Sequence, residues 1–347
     1  MLAHSLDVVI GVDSHRDTHA LALVAAATGV LLAETQIEAS AAGYARALSL
    51  ARTRAPGRRC WAIEGTGCYG AGLARYLSGR GELVVEVERP LRAERRSGKS
   101  DALDAVRAAR SALSQRHPGQ PRSGGERAAL QALLVTRASA VAGRAAALCQ
   151  LRALVVSAPE PQRRELRRLT RAALLARCAS LRPRACATVE AGARNHCLRA
   201  LARRARTLDQ EARLLEREIE TLVQRLAPAL LDQPGVGPVS AAQVLACWSH
   251  HGRLHNEAAF ARIAGAAPIP ASSGRLVRHR LDRGGDRQLN RALHTIIVSR
   301  RKHHAETIAY IARRQNEGKT VREAIRCLKR YLARSLFRLL EGMPLAT

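Results

Sequence analysis

The chain has 347 residues, long for one compact core, and an apolar fraction of 47%, so two or three folded domains are expected rather than disorder. Its 57 basic residues against 29 acidic ones leave a formal charge of +28, a self-repulsion that a polyanionic partner such as DNA or RNA offsets. No run of about 20 uncharged apolar residues is evident, the N-terminus lacks a signal-peptide pattern, and the eight cysteines are scattered without a C-x-x-C pair. These features argue against a membrane protein, a disulfide scaffold or a zinc module, and suit a reducing cytoplasm.

The pattern in chain order begins with β-rich runs at Asp7–Val12, Ala20–Ala27 and Val30–Ile37. A helix is expected over Ala41–Arg54, a strand over Cys60–Glu64, a helix over Ala71–Gly79 and a strand over Leu83–Val87, with a further helix starting near Ser100. Three consecutive strands followed by strand–helix alternation predict a mixed α/β sheet flanked by helices, the order of a ribonuclease-H-like core. From about Gly125 to Leu231 apolar residues recur at steps of three, four and seven, first in Leu130, Leu134, Val141, Leu148 and Leu151, then in Leu198, Leu201, Leu208, Leu215 and Ile219. That spacing predicts long antiparallel helices or a coiled coil, read as a spacer or dimerisation arm. After Pro234 a mixed region holds a Gly-rich hairpin, a Pro/Ser/Gly loop near 268–274, and two basic helices over roughly Asp286–Arg313 and Val321–Glu341. The expected division is therefore 1–118, 119–231 and 232–347.

Carboxylates punctuate the first region. Gly11-Val12-Asp13-Ser14-His15-Arg16-Asp17-Thr18-His19 puts Asp13 at a strand exit, and Ile63-Glu64-Gly65-Thr66-Gly67 does the same for Glu64. Ser100-Asp101-Ala102-Leu103-Asp104 places two acids on one face of a helix start. Taken alone, a D-x-x-D there also serves capping and dipole compensation. Four converging carboxylates repel one another unless divalent cations intervene, and hard oxygen donors favour Mg²⁺ or Mn²⁺ over zinc. Asp17, His15 and His19 read as strand-exit residues or as support for the acids.

In this order the motifs resemble those of the DEDD transposases with a RuvC-like domain, the insertion-sequence one-hundred-and-ten family of bridge-RNA-guided recombinases. GVDSHRDTHALALV, EGTGCYGAGLARYL and GKSDALDAVRAAR carry the N-terminal half of the likeness. The resemblance implies that Asp13, Glu64, Asp101 and Asp104 are metal ligands. Cys68 stands where the family pattern leads us to expect serine.

The C-terminal half lies in Ala264–Gly274 and Arg278–Arg291. There the resemblance implies a serine nucleophile that attacks DNA, Ser273 by position, with Ser272 beside it. By itself, S-S-G in a Pro-rich loop is an ordinary turn. Gln233-Pro234-Gly235-Val236-Gly237-Pro238 reads either as a helix–hairpin–helix whose Gly235 and Gly237 backbone binds DNA phosphate, or as a plain connecting turn. Arg275, Arg278, Arg280, Arg283 and Arg287 would favour the phosphate. With aromatics at 3%, an RNA would be held by phosphates and shape rather than by base stacking.

The likeness implies a transposase acting on donor and target DNA through a transient phosphoserine, with an element-encoded guide RNA and a dimer or tetramer in the cytoplasm, at the nucleoid. Two other classes remain in view. A metal-dependent junction resolvase would use the same carboxylates with water instead of serine, and an architectural DNA-binding protein would use only its basic helices.

Overall fold

The computed structural model describes residues 5–87, 100–115, 119–182, 188–272, 279–280, 282 and 284–343. Contacts divide the chain into two compact units, residues 1–124 with 248–260 and residues 125–247 with 261–347.

The first unit is a five-stranded sheet with helices on both faces. Its elements are β1 (Val8–Ser14), β2 (Thr18–Ala25), β3 (Leu31–Glu38), α1 (Ala41–Arg54), β4 (Arg59–Glu64), α2 (Ala71–Ser78), β5 (Val84–Val87) and α3 (Asp101–Ser114). Strand order is β3-β2-β1-β4-β5; the β1–β2–β3 meander is antiparallel, and β1–β4 and β4–β5 are parallel. The expected elements are thus present, in a mixed sheet.

Alternation along each strand sorts side chains to two cores. Ile10, Val12, Leu21, Leu23, Trp61 and Ile63 pack with α1 and α2. Val9, Ala22, Val24, Cys60 and Ala62 pack with Ala105, Ala109 and Ala112 of α3. The alanine-rich stripe of α3, with Val106 beside it, lets that helix lie close to the sheet at Gly11. A Cβ on Gly11 would overlap the Ala105 carbonyl oxygen and lie 2.7 Å from the Ala109 nitrogen. Near the parallel edge, Glu82 accepts hydrogen bonds from the Arg59 guanidinium (2.8 Å to Nε) and the Trp61 indole N–H (3.0 Å). The Arg59 contact holds the Glu82 carboxyl below its usual range.

The second unit is helical. Its elements begin with α4 (Gly125–Val156), α5 (Glu160–Arg167), α6 (Arg171–Ala179), α7 (Val189–Leu226) and α8 (Pro228–Leu231). Then come α9 (Pro238–Trp248), α10 (Glu257–Ile263, whose residues 257–260 group with the first unit), β6 (Ile269–Pro270), β7 (His279–Arg280), α11 (Arg287–His303), α12 (Ala305–Asn316) and α13 (Val321–Glu341).

Helices α4 and α7 run antiparallel. Glu126 pairs with Arg225, Arg137 with Glu216 and Arg144 with Asp209, so partner numbers fall along α7 as they rise along α4. Leu151, Val155, Leu166, Leu174 and Leu198 close one end of the hairpin through α5 and α6. By length and composition alone α4 is apolar enough to cross a bilayer, although Arg137 and Arg144 interrupt its apolar run as the sequence showed. Its Leu130, Leu134, Leu148 and Leu151 are buried nonetheless, and two of its arginines meet acids of α7.

The first expected C-terminal basic helix is two helices. His304 leaves helical geometry (φ −98°, ψ 109°), and its Nδ1 accepts the Thr307 backbone N–H at 3.3 Å, capping α12. A histidine ring in a capping role carries no strong signal in sequence, where Ser, Thr, Asp and Asn are the usual caps.

Candidate active site

Parity places the acids. Odd-numbered Val9 and Gly11 of β1 face α3, so Asp13 at the strand end faces it too. On β4, Cys60 and Ala62 face α3, and Glu64 continues that face. Because Val12 pairs with Ile63 in the parallel ladder, Asp13 and Glu64 are neighbours at the same end of adjacent strands. Their backbones are roughly 5 Å apart by strand spacing. The Ser14 hydroxyl donates to the Glu64 carbonyl oxygen at 2.7 Å and ties the two strand ends. After Glu64 the chain turns at Gly65 (φ +71°), where the exposed Cys68 thiol donates to the Gly65 carbonyl at 3.3 Å.

Helix α3 brings the other two acids. Its N-cap Ser100 accepts the Leu103 N–H at 3.2 Å, and the buried Ala105, Ala108, Ala109 and Ala112 mark the face on the sheet. Asp101 and Asp104 lie one turn before Ala105 and Ala108, and a carboxylate oxygen of Asp101 lies within 4.8 Å of one of Asp13. The positive end of the α3 dipole favours both charges. Asp104 is largely covered, and Arg107 donates to it at 2.7 Å.

The structure brings Asp13, His15 and Asp101 together. His15 Nδ1 lies 3.8 Å from Asp13 Oδ2, and its Nε2 lies 3.9 Å from Asp101 Oδ1. One ligating atom from each of the three lies within 4.8 Å of the others. His15, expected as a strand-exit residue or as support for the acids, lies between Asp13 and Asp101. The available signal was its spacing of two from Asp13, which keeps both side chains on one face of an extended segment. Asp17 is turned to solvent against Arg16. His19 pairs with Ser14 across the sheet and points to the opposite core, stacked on Tyr44 with centroids 5.8 Å apart. Both its ring nitrogens are buried without a hydrogen-bond partner among the described residues, and burial holds its pKa below 6.5.

In the second unit, Ser273, Arg275, Arg278 and Arg283 lie outside the described residues. Ser272 is exposed just after β6, Arg280 is exposed on β7 opposite Ile269, and Arg287 is exposed at the start of α11. Gly235 (φ +73°) sits against α11, where a Cβ would lie 3.0 Å from the Ile296 carbonyl and 3.1 Å from Arg300 Cγ. Arg300 donates to the Pro234 carbonyl at 2.7 Å. Gly237 faces open space. The turn between α8 and α9 is therefore braced by protein at Gly235 and open at Gly237.

Two family models match the chain. Residues 10–160 match a transposase model of the DEDD IS110 type, and residues 227–312 match the transposase IS116/IS110/IS902 family. The first match spans all four acids and His15, and the second spans the turn at Gly235 and the serine loop. Among curated proteins, an insertion element IS110 uncharacterized 43.6 kDa protein of Streptomyces coelicolor is 32% identical over 134 residues. That alignment covers 38% of this chain and spans 33% of the relative's length.

Proposed function

The chain belongs to the IS110 family of DEDD transposases, and on that premise we propose that it cuts and rejoins DNA as the transposase of a bacterial insertion sequence. The observation that carries this reading is the convergence of Asp13, His15 and Asp101 at the strand ends, with Glu64 on the adjacent strand.

Asp13, Glu64, Asp101 and Asp104 would hold Mg²⁺ or Mn²⁺, with His15 at its edge. Two of these carboxylates, Asp13 and Asp101, lie close together with the His15 imidazole beside them, an oxygen-and-nitrogen donor set that suits Mn²⁺ as well as Mg²⁺, while Asp104 is held by Arg107. When bound, such ions supply charge neutralisation and Lewis-acid activation at phosphorus. The protein's own part is to hold the donors: Ser14 locks the strand ends, and Gly11 seats α3 so that its first turn meets them.

Ser273, on the proposed reading, attacks a DNA phosphate. Its Oγ–P bond forms as the bond to one sugar oxygen breaks, the serine proton leaves to solvent or a nearby base, and the freed sugar hydroxyl later reverses the step to rejoin DNA. Arg275, Arg278, Arg280, Arg283 and Arg287, with the backbone at Gly235 and Gly237, would grip phosphates. The three regions 1–118, 119–231 and 232–347 would then be the carboxylate domain, a helical spacer and the serine-bearing domain.

A guide RNA fits the +28 charge and would be held by arginine-rich faces. A second copy fits the exposed face of α4, where Val135, Ser139, Ala142, Ala146, Cys149 and Ala153 recur at alternating steps of four and three. The site of action is the cytoplasm, at the nucleoid.

The test is a denaturing gel for a covalent protein–DNA adduct. The full chain is expressed with its element's flanking sequences, and wild type is compared with Ser273→Ala. An adduct in wild type alone supports the serine reading. Cleavage by both without an adduct supports a water-using resolvase instead.

A further inference from the structure

The loop that carries Ser272 is closed at its base by contacts that neither the acids nor the arginines account for. The Asp286 N–H donates to the Ile263 carbonyl at 2.6 Å, joining the end of α10 to the start of α11. Gly265 (φ +59°) and Gly285 (φ +82°) pass backbone against backbone. A Cβ on Gly285 would lie 2.5 Å from the Ile263 carbonyl oxygen, and one on Gly265 would lie 2.8 Å from that of Gly284. Beyond this pinch, among the described residues, two residue pairs, Ile269 with Arg280 and Pro270 with His279, form a ladder.

A polar relay reaches the pinch from outside. Asn290, on the second turn of α11, donates from Nδ2 to the carbonyls of Ala264 (2.6 Å) and Gly265 (3.4 Å). Its Oδ1 accepts from Lys329 Nζ of α13 at 2.8 Å. The amide has one orientation compatible with these neighbours, since an ammonium only donates and a carbonyl only accepts. The lysine charge also polarises the amide, which strengthens its donation to the loop.

Lys329 is part-buried, and burial, with the charge of Arg326, holds its pKa below 10.5. Burying an ammonium is costly, and an apolar side chain would fill the same space without that cost. We propose that Asn290 and Lys329 are positioning residues that hold the base of the serine loop in one register, so that the serine hydroxyl is offered to phosphate in a fixed place. This rests on the reading of Ser273 as nucleophile.

The test uses the full chain with its DNA ends and element RNA, and compares Asn290→Asp and Lys329→Met with wild type and Ser273→Ala. Asn290→Asp is nearly isosteric and keeps a partner for Lys329, yet an ionised carboxylate cannot donate to the Ala264 carbonyl. Adduct formation at saturating DNA is expected to slow about 10- to 100-fold in Asn290→Asp, and less in Lys329→Met. DNA affinity by gel shift should stay within about twofold, a split that a general structural defect would not produce. In the protein without DNA, hydrogen exchange at the Ala266 amide, which donates to the Ala261 carbonyl, should quicken in both variants.

Wild-type adduct rate and exchange in Asn290→Asp would overturn the proposal. So would parallel loss of DNA binding and adduct in Lys329→Met, which marks a packing role. An adduct that persists in Ser273→Ala overturns the nucleophile assignment instead, and the exchange measurement still decides whether the clamp exists.

Discussion

The acid cluster and the serine loop are built on opposite principles. The acids at the end of the sheet sit on regular elements: Asp13 on β1, Glu64 on β4, Asp101 and Asp104 on the first turn of α3. The serine loop leans on a ladder of two residue pairs and a pinch at its base. On the proposed function the difference suits the charges: like charges in a cluster spread apart unless a stiff scaffold opposes them, whereas a neutral hydroxyl needs only to be aimed.

The largest expected effect tests the acid half of this contrast. Asp101→Asn keeps shape and removes one charge, so cleavage of cognate DNA should fall about 10³-fold while the fold is kept, since relief of repulsion offsets the lost dipole interaction. Unchanged cleavage, and no need for a divalent ion, would return the protein to a purely architectural role.

Next come the two glycines that seat the sites. Gly11→Ala drives a methyl into the Ala105 carbonyl, and should cost about 3 kcal/mol and lower the melting temperature of the first unit. Gly285→Ala, at φ +82° with the Ile263 carbonyl in its way, should cost about 2 kcal/mol and raise exchange around the serine loop. If Gly285→Ala instead melted the sheet and Gly11→Ala left it intact, the contrast would collapse.

The smallest effect sharpens the picture of the sheet. His19 is buried and neutral with its pKa held below 6.5, chiefly by burial, so below that pH the unfolded chain binds a proton that the folded chain does not. Stability of the first unit should therefore be full above about pH 6.5 and decline as pH falls toward the depressed value. His19→Phe should flatten that slope while keeping a ring stacked on Tyr44. Urea titrations at several pH values measure it, and an unchanged slope in the variant would assign the effect elsewhere.

Much of the sheet unit was legible because its signals are local. The runs around Val9 and Ile63 are continuous apolar stretches, as strands buried on both faces are, and Ser40 and Ser100 announce α1 and α3 as caps. The antiparallel α4–α7 pair was legible in its leucine spacing. The break at His304 was not, because the cap is an imidazole. The spacing of His15 from Asp13 marks a shared face, but its approach to Asp101 depends on how α3 seats on the sheet.

What the sequence determined by itself is the periodic part: which segments are strands and helices, which face each residue takes, and a charge that calls for a polyanion. Parity alone puts Asp13 and Glu64 on the α3 face once the strands are placed. Tertiary structure decided the rest. It set the depth at which α3 seats on Gly11, the meeting of His15 with Asp13 and Asp101, and the tie from Lys329 through Asn290 to the Ala264 carbonyl. Each of these joins residues far apart in the chain or across a turn, and such contacts depend on how whole elements pack rather than on the preferences of any one segment.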